Sequence, residues 1–293
     1  MLKKLSFLII IMAAASVIQA QTPADTTKYW TINGNSSLNF SQVSLTNWSE
    51  GGDGSVSGTF LFNIAANKKK NNHIWDSSLD MQYGLLKNSS ESLRKSVDKL
   101  SFSSKYGYKI DGKWYLTALY DFRTQIAKGY NYPNKETYIS NFMAPGYMNL
   151  ALGFDYKPNK SFSAFLSPVS TKFTFVTDDS LSTVGAFGVS PGDKFRAEFG
   201  AYAKFSYTKE DLVKNVDLVT KLDLFSNYLD KPQNVDVHWD VLFNMEINKF
   251  LTANFGTTIK YDDNIKYVDS SGVQHGPRVQ LKQFLGIGLT YNF

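Results

Sequence analysis

Hydrophobic and polar residues alternate along most of this chain with a period of two. This spacing is typical of a β-strand that has one apolar face and one polar face. The C-terminal stretch 279–293 keeps the alternation almost to its last residue. Its apolar face includes Leu285, Ile287, Leu289, Tyr291 and Phe293. The pattern therefore predicts an all-β protein.

Twelve stretches are predicted strands, and most are longer than a typical globular strand. Most also reach the roughly 9–11 residues that a tilted strand needs to cross a membrane. The predicted strands are 30–45, 55–67, 74–86, 97–110, 113–126, 147–157, 161–176, 195–207, 213–228, 235–247, 250–261 and 279–293. The alternation breaks near Gln42 and Pro168, where we expect β-bulges.

The connections between the predicted strands are alternately short and long. A water-soluble barrel or sandwich would show the same alternation of residues, so the loop lengths are the more informative feature. Tight hairpins at one end and long loops at the other are typical of outer-membrane barrels. We therefore predict a single transmembrane antiparallel β-barrel of about twelve strands. An even number of strands would place both termini on the periplasmic side and the long loops outside the cell.

Residues 1–20 have the features of a cleaved signal peptide. Lys3 and Lys4 supply the positive charge, and 5–18 form an apolar run that is too short to span a bilayer. Ala20 is a small residue at the expected cleavage point. An uncleaved membrane anchor is the alternative. With cleavage, we expect a short periplasmic segment at 21–29 and a barrel over 30–293.

Charge and cysteine content narrow the range of partners. The chain has 31 Lys+Arg and 26 Asp+Glu, which gives a net charge of +5. This modest charge does not favour binding to nucleic acid. The absence of Cys excludes disulfides, thiolate metal sites and a lipoprotein anchor. We expect contacts with outer-membrane lipid and with the barrel-assembly machinery, through the C-terminal strand that ends at Phe293. The sequence indicates no other protein partner.

Several motifs resemble those of a family of exported proteins. They are 38–48 (LNFSQVSLTNW), 143–147 (MAPGY), 152–158 (LGFDYKP) and 222–228 (LDLFSNY). These stretches are similar to the DUF3078 family, which comprises outer-membrane β-barrel proteins of unknown function from Bacteroidetes. The resemblance implies an outer-membrane location and a Bacteroidetes-type source. It implies no catalytic or binding residues, because none is established for the family.

The polar faces of the predicted strands carry charges of both signs, and in a barrel these residues would face the lumen. The candidates are Asp121, Arg123, Arg196, Glu198, Lys204, Asp223, Asp236, His238, Asp240, Glu246, Lys260 and Lys282. A polar channel uses such charges to filter solutes. Alternatively, the acids and bases pair across the barrel and fill it, and their near balance favours this filled or very narrow lumen. Barrels of about twelve strands lie between filled eight-stranded barrels and open sixteen-stranded porins.

Histidine and paired carboxylates are the remaining candidates for chemistry. His238 has Asp236 and Asp240 on its strand face, but a phospholipase of this fold class must meet lipid on the outer surface. The pairs 178–179 and 262–263 are expected to be solvated loop ends rather than a Ca²⁺ site. We therefore predict no enzyme activity, no cofactor, and no catalytic, cofactor-binding or metal-binding residues.

The sequence leaves three functions open. The first is an outer-membrane β-barrel of unknown specific role, either a narrow passage for small solutes or a structural barrel. The second is an accessory component of an envelope assembly or secretion complex. The third is an outer-membrane enzyme of phospholipase type, for which His238 is the candidate base.

Overall fold

The structure is a computed structural model that describes residues 29–44, 53–89, 91–268 and 273–293. The predicted signal peptide at 1–20, and all but the last residue of the predicted periplasmic segment at 21–29, lie outside the described residues. Within the described ranges, no helix is both long enough and apolar enough to cross a membrane.

Long β-strands make up most of the described chain. They are β1 (Trp30–Val43), β2 (Ser55–Lys70), β3 (His73–Asn88), β4 (Arg94–Asp111), β5 (Trp114–Thr124), β6 (Gly129–Tyr130), β7 (Tyr138–Ser140), β8 (Gly146–Tyr156), β9 (Phe162–Phe175), β10 (Phe195–Val213), β11 (Val216–Asn227), β12 (Val235–Glu246), β13 (Leu251–Tyr261), β14 (Lys266–Val268), β15 (Gln274–Pro277) and β16 (Gln280–Asn292). Twelve of them close into one antiparallel barrel, in the order β1-β16-β13-β12-β11-β10-β9-β8-β5-β4-β3-β2. The predicted fold is confirmed, and each barrel strand overlaps one of the predicted segments.

The four short strands belong to the long loops, where β6 pairs with β7 and β14 pairs with β15. The loop after β9 contains a short helix, α1 (Asp179–Thr183), and a 3-10 turn at Ala186–Gly188. This loop packs on the loop after β5 through a small apolar cluster. The cluster consists of Ala144, Val176, Leu181 and Val189. The long loops are therefore partly folded structures of their own.

The carboxylate of Asp178 joins these two loops. It accepts hydrogen bonds from Tyr138 Oη and from Asn141 Nδ2, both at 3.1 Å. It also caps α1 by accepting from the backbone N–H groups of Ser180 and Leu181. Desolvation alone would raise the pKa of Asp178, but these hydrogen bonds outweigh it and lower the pKa below its usual value. Asp178 is therefore a structural contact between the two loops, whereas its neighbour Asp179 is solvated as expected, with a side chain that is 88% exposed.

The bulge predicted near Pro168 is confirmed. The pairing of β8 with β9 shifts register between Leu152 and Phe154, opposite this proline. The pairing of β9 with β10 shifts between Gly200 and Tyr202 on the other side. Proline has no N–H group to donate to a ladder, so a bulge is where a strand tolerates it. Because of this shift, odd-numbered residues of β9 face the lumen before Pro168 and even-numbered residues face it after Pro168.

Two other sequence expectations are wrong. The β1–β2 ladder runs without a shift from Trp30 to Val43, so there is no bulge near Gln42. Gln42 is exposed near the end of β1, where a polar side chain needs no change of register to reach water. In addition, β10 runs to Val213, beyond the predicted end at 207. Its turn uses Asn215 with φ 63°, a left-handed conformation that Asn adopts more readily than most residues.

The outward face of the barrel is apolar and exposed, whereas polar side chains are buried inside. Leu285 and Leu289 on the outer surface are 71% and 64% exposed. On the inner surface, Asp155 and Thr174 are 0% exposed. A protein in water would show the opposite distribution, with carboxylates outside. An apolar exterior on a closed barrel is the arrangement of an outer-membrane β-barrel.

The barrel closes where the first strand meets the last. Six residue pairs join β1 to β16, compared with fourteen between β1 and β2. Gly34 and Phe293 exchange backbone hydrogen bonds of 2.8 and 2.9 Å at the end of this seam. A Cβ at Gly34 would lie 2.5 Å from the Phe293 ring, so only glycine fits there. The same ring stacks on Phe62, with 6.3 Å between centroids. The C-terminal residue is thus part of the closure.

The register of the seam can be tested by cross-linking. Leu38 and Leu289 are directly opposed, and opposed residues lie roughly 4.5–5.5 Å apart, within reach of a disulfide. Because the chain contains no Cys, we expect the double variant Leu38→Cys/Leu289→Cys to form a disulfide on oxidation. A reduction-sensitive change in mobility on a denaturing gel would report it. The control Leu38→Cys/Leu285→Cys is out of register, and equal cross-linking of both variants would contradict the pairing.

The apolar exterior predicts a depth-dependent response to charge. Leu152 lies in the middle of β8 and is 54% exposed on the outer surface. Leu152→Arg should lower the free energy of unfolding by roughly 2–4 kcal/mol if this position lies at the bilayer midplane. Val213→Arg, at the short-turn end of β10, should cost only about 0–1 kcal/mol. Urea titration of the barrel in lipid vesicles measures both, and equal costs would contradict the membrane orientation.

Candidate functional site

The lumen contains a cavity of about 420 Å³ at the end that carries the long loops. Most of its lining comes from the barrel strands, among them β4, β5, β8, β12, β13 and β16. Phe187 and Ile265 contribute to the lining from the long loops. This cavity and the ion pairs below it form the candidate functional site.

A buried polar cluster forms the floor of the cavity. The Tyr202 hydroxyl lies 2.9 Å from Asp121 Oδ2 and 2.6 Å from Asp223 Oδ1. Lys204 Nζ donates to Asp121 at 2.7 Å, and the guanidinium of Arg123 pairs with Asp223. Each of these carboxylates therefore has a cation beside it, which offsets the cost of burying the charge.

Apolar side chains fill the lumen next to this floor. The buried residues Leu119, Ala151, Phe165, Tyr202 and Phe225 pack into one cluster inside the barrel. Phe165 is 0% exposed, and its ring centroid lies 6.3 Å from that of Tyr202. The alternation of polar and apolar residues did not predict this cluster. The side of the lumen formed by β5 and β8–β11 is therefore packed.

Two ion pairs cross the full width of the barrel. Lys99 Nζ of β4 lies 2.6 Å from Asp240 Oδ2 of β12. Lys221 Nζ of β11 lies 3.1 Å from Asp80 Oδ2 of β3. In both cases the two strands lie on opposite sides of the twelve-stranded ring. These side chains therefore meet in the middle of the lumen.

Lys172 organises the acidic residues near the mouth of the cavity. Its Nζ lies 2.5 Å from Asp236 Oδ2, 2.8 Å from Asp262 Oδ2 and 3.6 Å from Glu198 Oε2. Arg196 adds a second cation, 2.9 Å from Glu198. Burial alone would raise the pKa of Asp262, but the Lys172 ammonium outweighs it and lowers the pKa below its usual value. The expectation that Asp262 is a solvated loop end is therefore wrong.

His238 lies in the lumen beside Asp240. Its Nε2 is 3.1 Å from Asp240 Oδ2, and Asp240 also accepts a hydrogen bond of 2.7 Å from Thr258 Oγ1. The imidazole lines the cavity rather than the lipid-facing surface. Its position provides a polar contact within the charge network.

The structure brings most of the candidate lumen residues into one network. Asp121, Arg123, Asp223, Asp236, His238, Lys260 and Lys282 line the cavity. Arg196, Glu198, Lys204 and Asp240 join it through the ion pairs described above. Glu246 is separate from them, because it lies at the exposed short-turn end of β12.

Sequence reasoning missed three members of the site. Lys172 lies beyond the bulge near Pro168, and the bulge moves its side chain to the lumen face. Reversing the inward and outward assignment after Pro168 would have identified it. Asp98, which pairs with Lys95 at 2.7 Å, lies beside another register shift, at Gly84. Tyr202 was on the predicted polar face, but its contact with two carboxylates requires three strands to come together.

Lys260 and Lys282 differ from the other lumen cations. Both line the cavity, yet neither lies within ion-pair distance of a carboxylate anywhere in the described ranges. They belong to adjacent strands, where Thr258 pairs with Lys282 and Lys260 pairs with Gln280. The two lysines are therefore diagonal neighbours on the lumen face.

The floor cluster predicts a stability change without a change in packing. Tyr202→Phe keeps the ring but removes the hydroxyl that two buried carboxylates share. We expect the free energy of unfolding to fall by about 1–3 kcal/mol, measured by urea titration of the folded band on an unheated gel. Tyr120→Phe is the matched control because its ring stands on the outer face beside Phe102, and its effect should stay within about 0.5 kcal/mol. Equal effects would contradict the role of the hydroxyl.

Comparison with known proteins gives a family match and several similar folds. A family model described as "Protein of unknown function (DUF3078)" matches residues 40–130. No curated protein matches the sequence. An outer membrane channel from Pseudomonas putida F1 is 11% identical, with a TM-score of 0.39 and coverage of 92% of this chain and 100% of that one.

Two further solved structures are similar at comparable levels. The translocator domain of autotransporter NalP from Neisseria meningitidis is 9% identical, with a TM-score of 0.37 and coverage of 99% of this chain and 98% of that one. The NanC porin is 8% identical, with a TM-score of 0.38 and coverage of 88% and 98%. The closed ring of twelve strands and its apolar exterior make this chain an outer-membrane β-barrel, and its residues 40–130 match a family of unknown function.

Proposed function

We propose that this protein is an outer-membrane β-barrel that passes small solutes through a narrow lumen crossed by ion pairs. The observation that carries this proposal is the pair of contacts that span the barrel, Lys99–Asp240 and Lys221–Asp80. Side chains that meet in the middle of a lumen divide it into narrower paths. An open barrel of the porin type leaves that space to water.

The exposure of these side chains supports a narrow path rather than a sealed barrel. Lys99 and Asp240 are 20% and 23% exposed, and Lys221 and Asp80 are 30% and 24% exposed. By contrast, Lys204 and Asp121 in the floor cluster are 7% and 2% exposed. Solvent therefore reaches the crossing pairs although it does not reach the packed side of the lumen. Ions and small polar solutes fit such a path.

The orientation and location follow from the same barrel. The short turns and both described chain ends share one end of the barrel, and the long loops share the other. We place the termini in the periplasm and the long loops outside the cell, as is usual for this fold. The cavity then opens toward the exterior. The sequence motifs support a Bacteroidetes-type source.

The position of His238 supports a role without enzyme activity. A phospholipase must present its base to lipid, whereas this imidazole contacts Asp240 in the lumen. In the proposed function, His238 is part of the polar lining.

Planar-bilayer recording tests the proposed passage. We expect the wild-type barrel to give single-channel conductance well below that of an open sixteen-stranded porin in the same bilayer. The double variant Lys99→Ala/Asp240→Ala removes a contact that crosses the lumen, so its conductance should rise. Both partners are removed together because a single substitution would leave an unpaired charge.

A matched control exists on the long-loop surface. Lys194 and Asp179 also form an ion pair, 2.5 Å long, but both side chains are more than half exposed. The variant Lys194→Ala/Asp179→Ala should conduct as the wild type does. Two outcomes would contradict the proposal: a wild-type barrel that is silent at all voltages, or a conductance that does not respond to loss of the Lys99–Asp240 pair.

A further inference from the structure

We propose that the cavity contains a binding site for small oxyanions, in which Lys260 and Lys282 hold the negative oxygen atoms. The site would select among passing solutes only if the proposed function is correct. Binding of the anion itself does not require that solutes pass through the barrel. The solutes that the cavity retains are molecules with a phosphate or carboxylate group.

Every acidic residue that lines the cavity already has a protein cation beside it. Asp236 and Asp262 share Lys172, at 2.5 and 2.8 Å. Asp121 and Asp223 share Lys204, at 2.7 and 3.5 Å. Asp98 lies 2.7 Å from Lys95. Each carboxylate in the lining thus has a cation within ion-pair distance, so a solute cation would have to compete with a protein side chain.

The basic residues around the cavity are not all neutralised. Lys99 pairs with Asp240, and Arg123 pairs with Asp223. Lys260 and Lys282 have no such partner among the described residues, and both line the cavity. The lining carries five carboxylates and five Lys or Arg cations, so its formal charges balance. The two cations that have no carboxylate partner lie together on the side formed by β13 and β16.

The register of these two strands positions the lysines for one ligand. Diagonal neighbours on one face of an antiparallel pair stand roughly 7–8 Å apart at the backbone. Flexible ammonium side chains at this spacing can converge on the oxygens of a single anion. Gln280, the cross-strand partner of Lys260, adds an amide to the same face, whereas the Thr258 hydroxyl already donates to Asp240. The cavity of about 420 Å³ is large enough for a small organic acid or a phosphate ester.

Binding can be measured directly with inorganic phosphate as the probe. The full-length barrel, folded in detergent, is titrated with phosphate by calorimetry at low ionic strength, where charge contacts are least screened. We expect saturable binding to the wild type. The double variant Lys260→Gln/Lys282→Gln should bind phosphate at least about tenfold more weakly, because it loses two charged hydrogen-bond donors.

The control variant removes the same charge elsewhere. Lys209 and Lys249 are exposed at the short-turn end of the barrel. Lys209→Gln/Lys249→Gln should bind phosphate as the wild type does. Unheated gel mobility shows whether each variant is folded. Absence of phosphate binding in the folded wild type, or equal loss in both double variants, would overturn the site.

A second measurement separates this site from the proposed passage. In a KCl gradient across a planar bilayer, the wild-type reversal potential should indicate a preference for chloride, and Lys260→Gln/Lys282→Gln should reduce it. If the barrel binds phosphate but never conducts, the oxyanion site is supported and the proposed solute passage is contradicted. If the barrel conducts with a preference for potassium and does not bind phosphate, the oxyanion site is contradicted and the proposed solute passage is supported.

Discussion

The structure depends on one constraint: a strand in hydrocarbon finds no hydrogen-bond partners except other strands. A sheet in that environment must close on itself, and here closure joins β1 to β16 over six residue pairs. The terminal Phe293 completes the seam by bonding to Gly34 and packing on Phe62. Closure also decides where every other side chain lies, because alternate residues must face either lipid or the lumen.

The enclosed lumen then has to accommodate charge. Acids and bases placed in a confined space are costly to bury unless they pair. Here they pair over part of the ring, as at Lys172 of β9 and Asp236 of β12, and across its whole width, as at Lys99 and Asp240. The pairing fixes side chains in the middle of the barrel and narrows it. It also leaves Lys260 and Lys282 without carboxylate partners in the described part of the lumen, which places two ammonium groups on one side of the cavity where an anion can contact them.

The sequence predicted the barrel well because the period-two pattern and the loop lengths both follow from membrane closure. All of the predicted strands exist, with differences mainly at their ends, as at Val213. The site was less predictable. Alternation assigns a residue to the lumen but does not identify its partner, since Lys99 and Asp240 are distant in sequence and meet only after the ring closes. A bulge also reverses the alternation, which is why Lys172 was missed, and apolar residues such as Phe165 enter the lumen without any polar signal.

The ion pair between Lys99 and Asp240 joins opposite sides of the closed ring and stabilises it. A charge swap at the crossing pair tests it most directly. The unfolding temperature should be measured for Lys99→Asp, for Asp240→Lys and for the variant that carries both. The loss of the folded band on a gel, as samples are heated to increasing temperatures, gives this temperature. Each single reversal places two like charges in the middle of the lumen and should lower the unfolding temperature. The double variant restores opposite charges and should recover much of the loss. A double variant no more stable than the sum of the single effects would contradict the pairing.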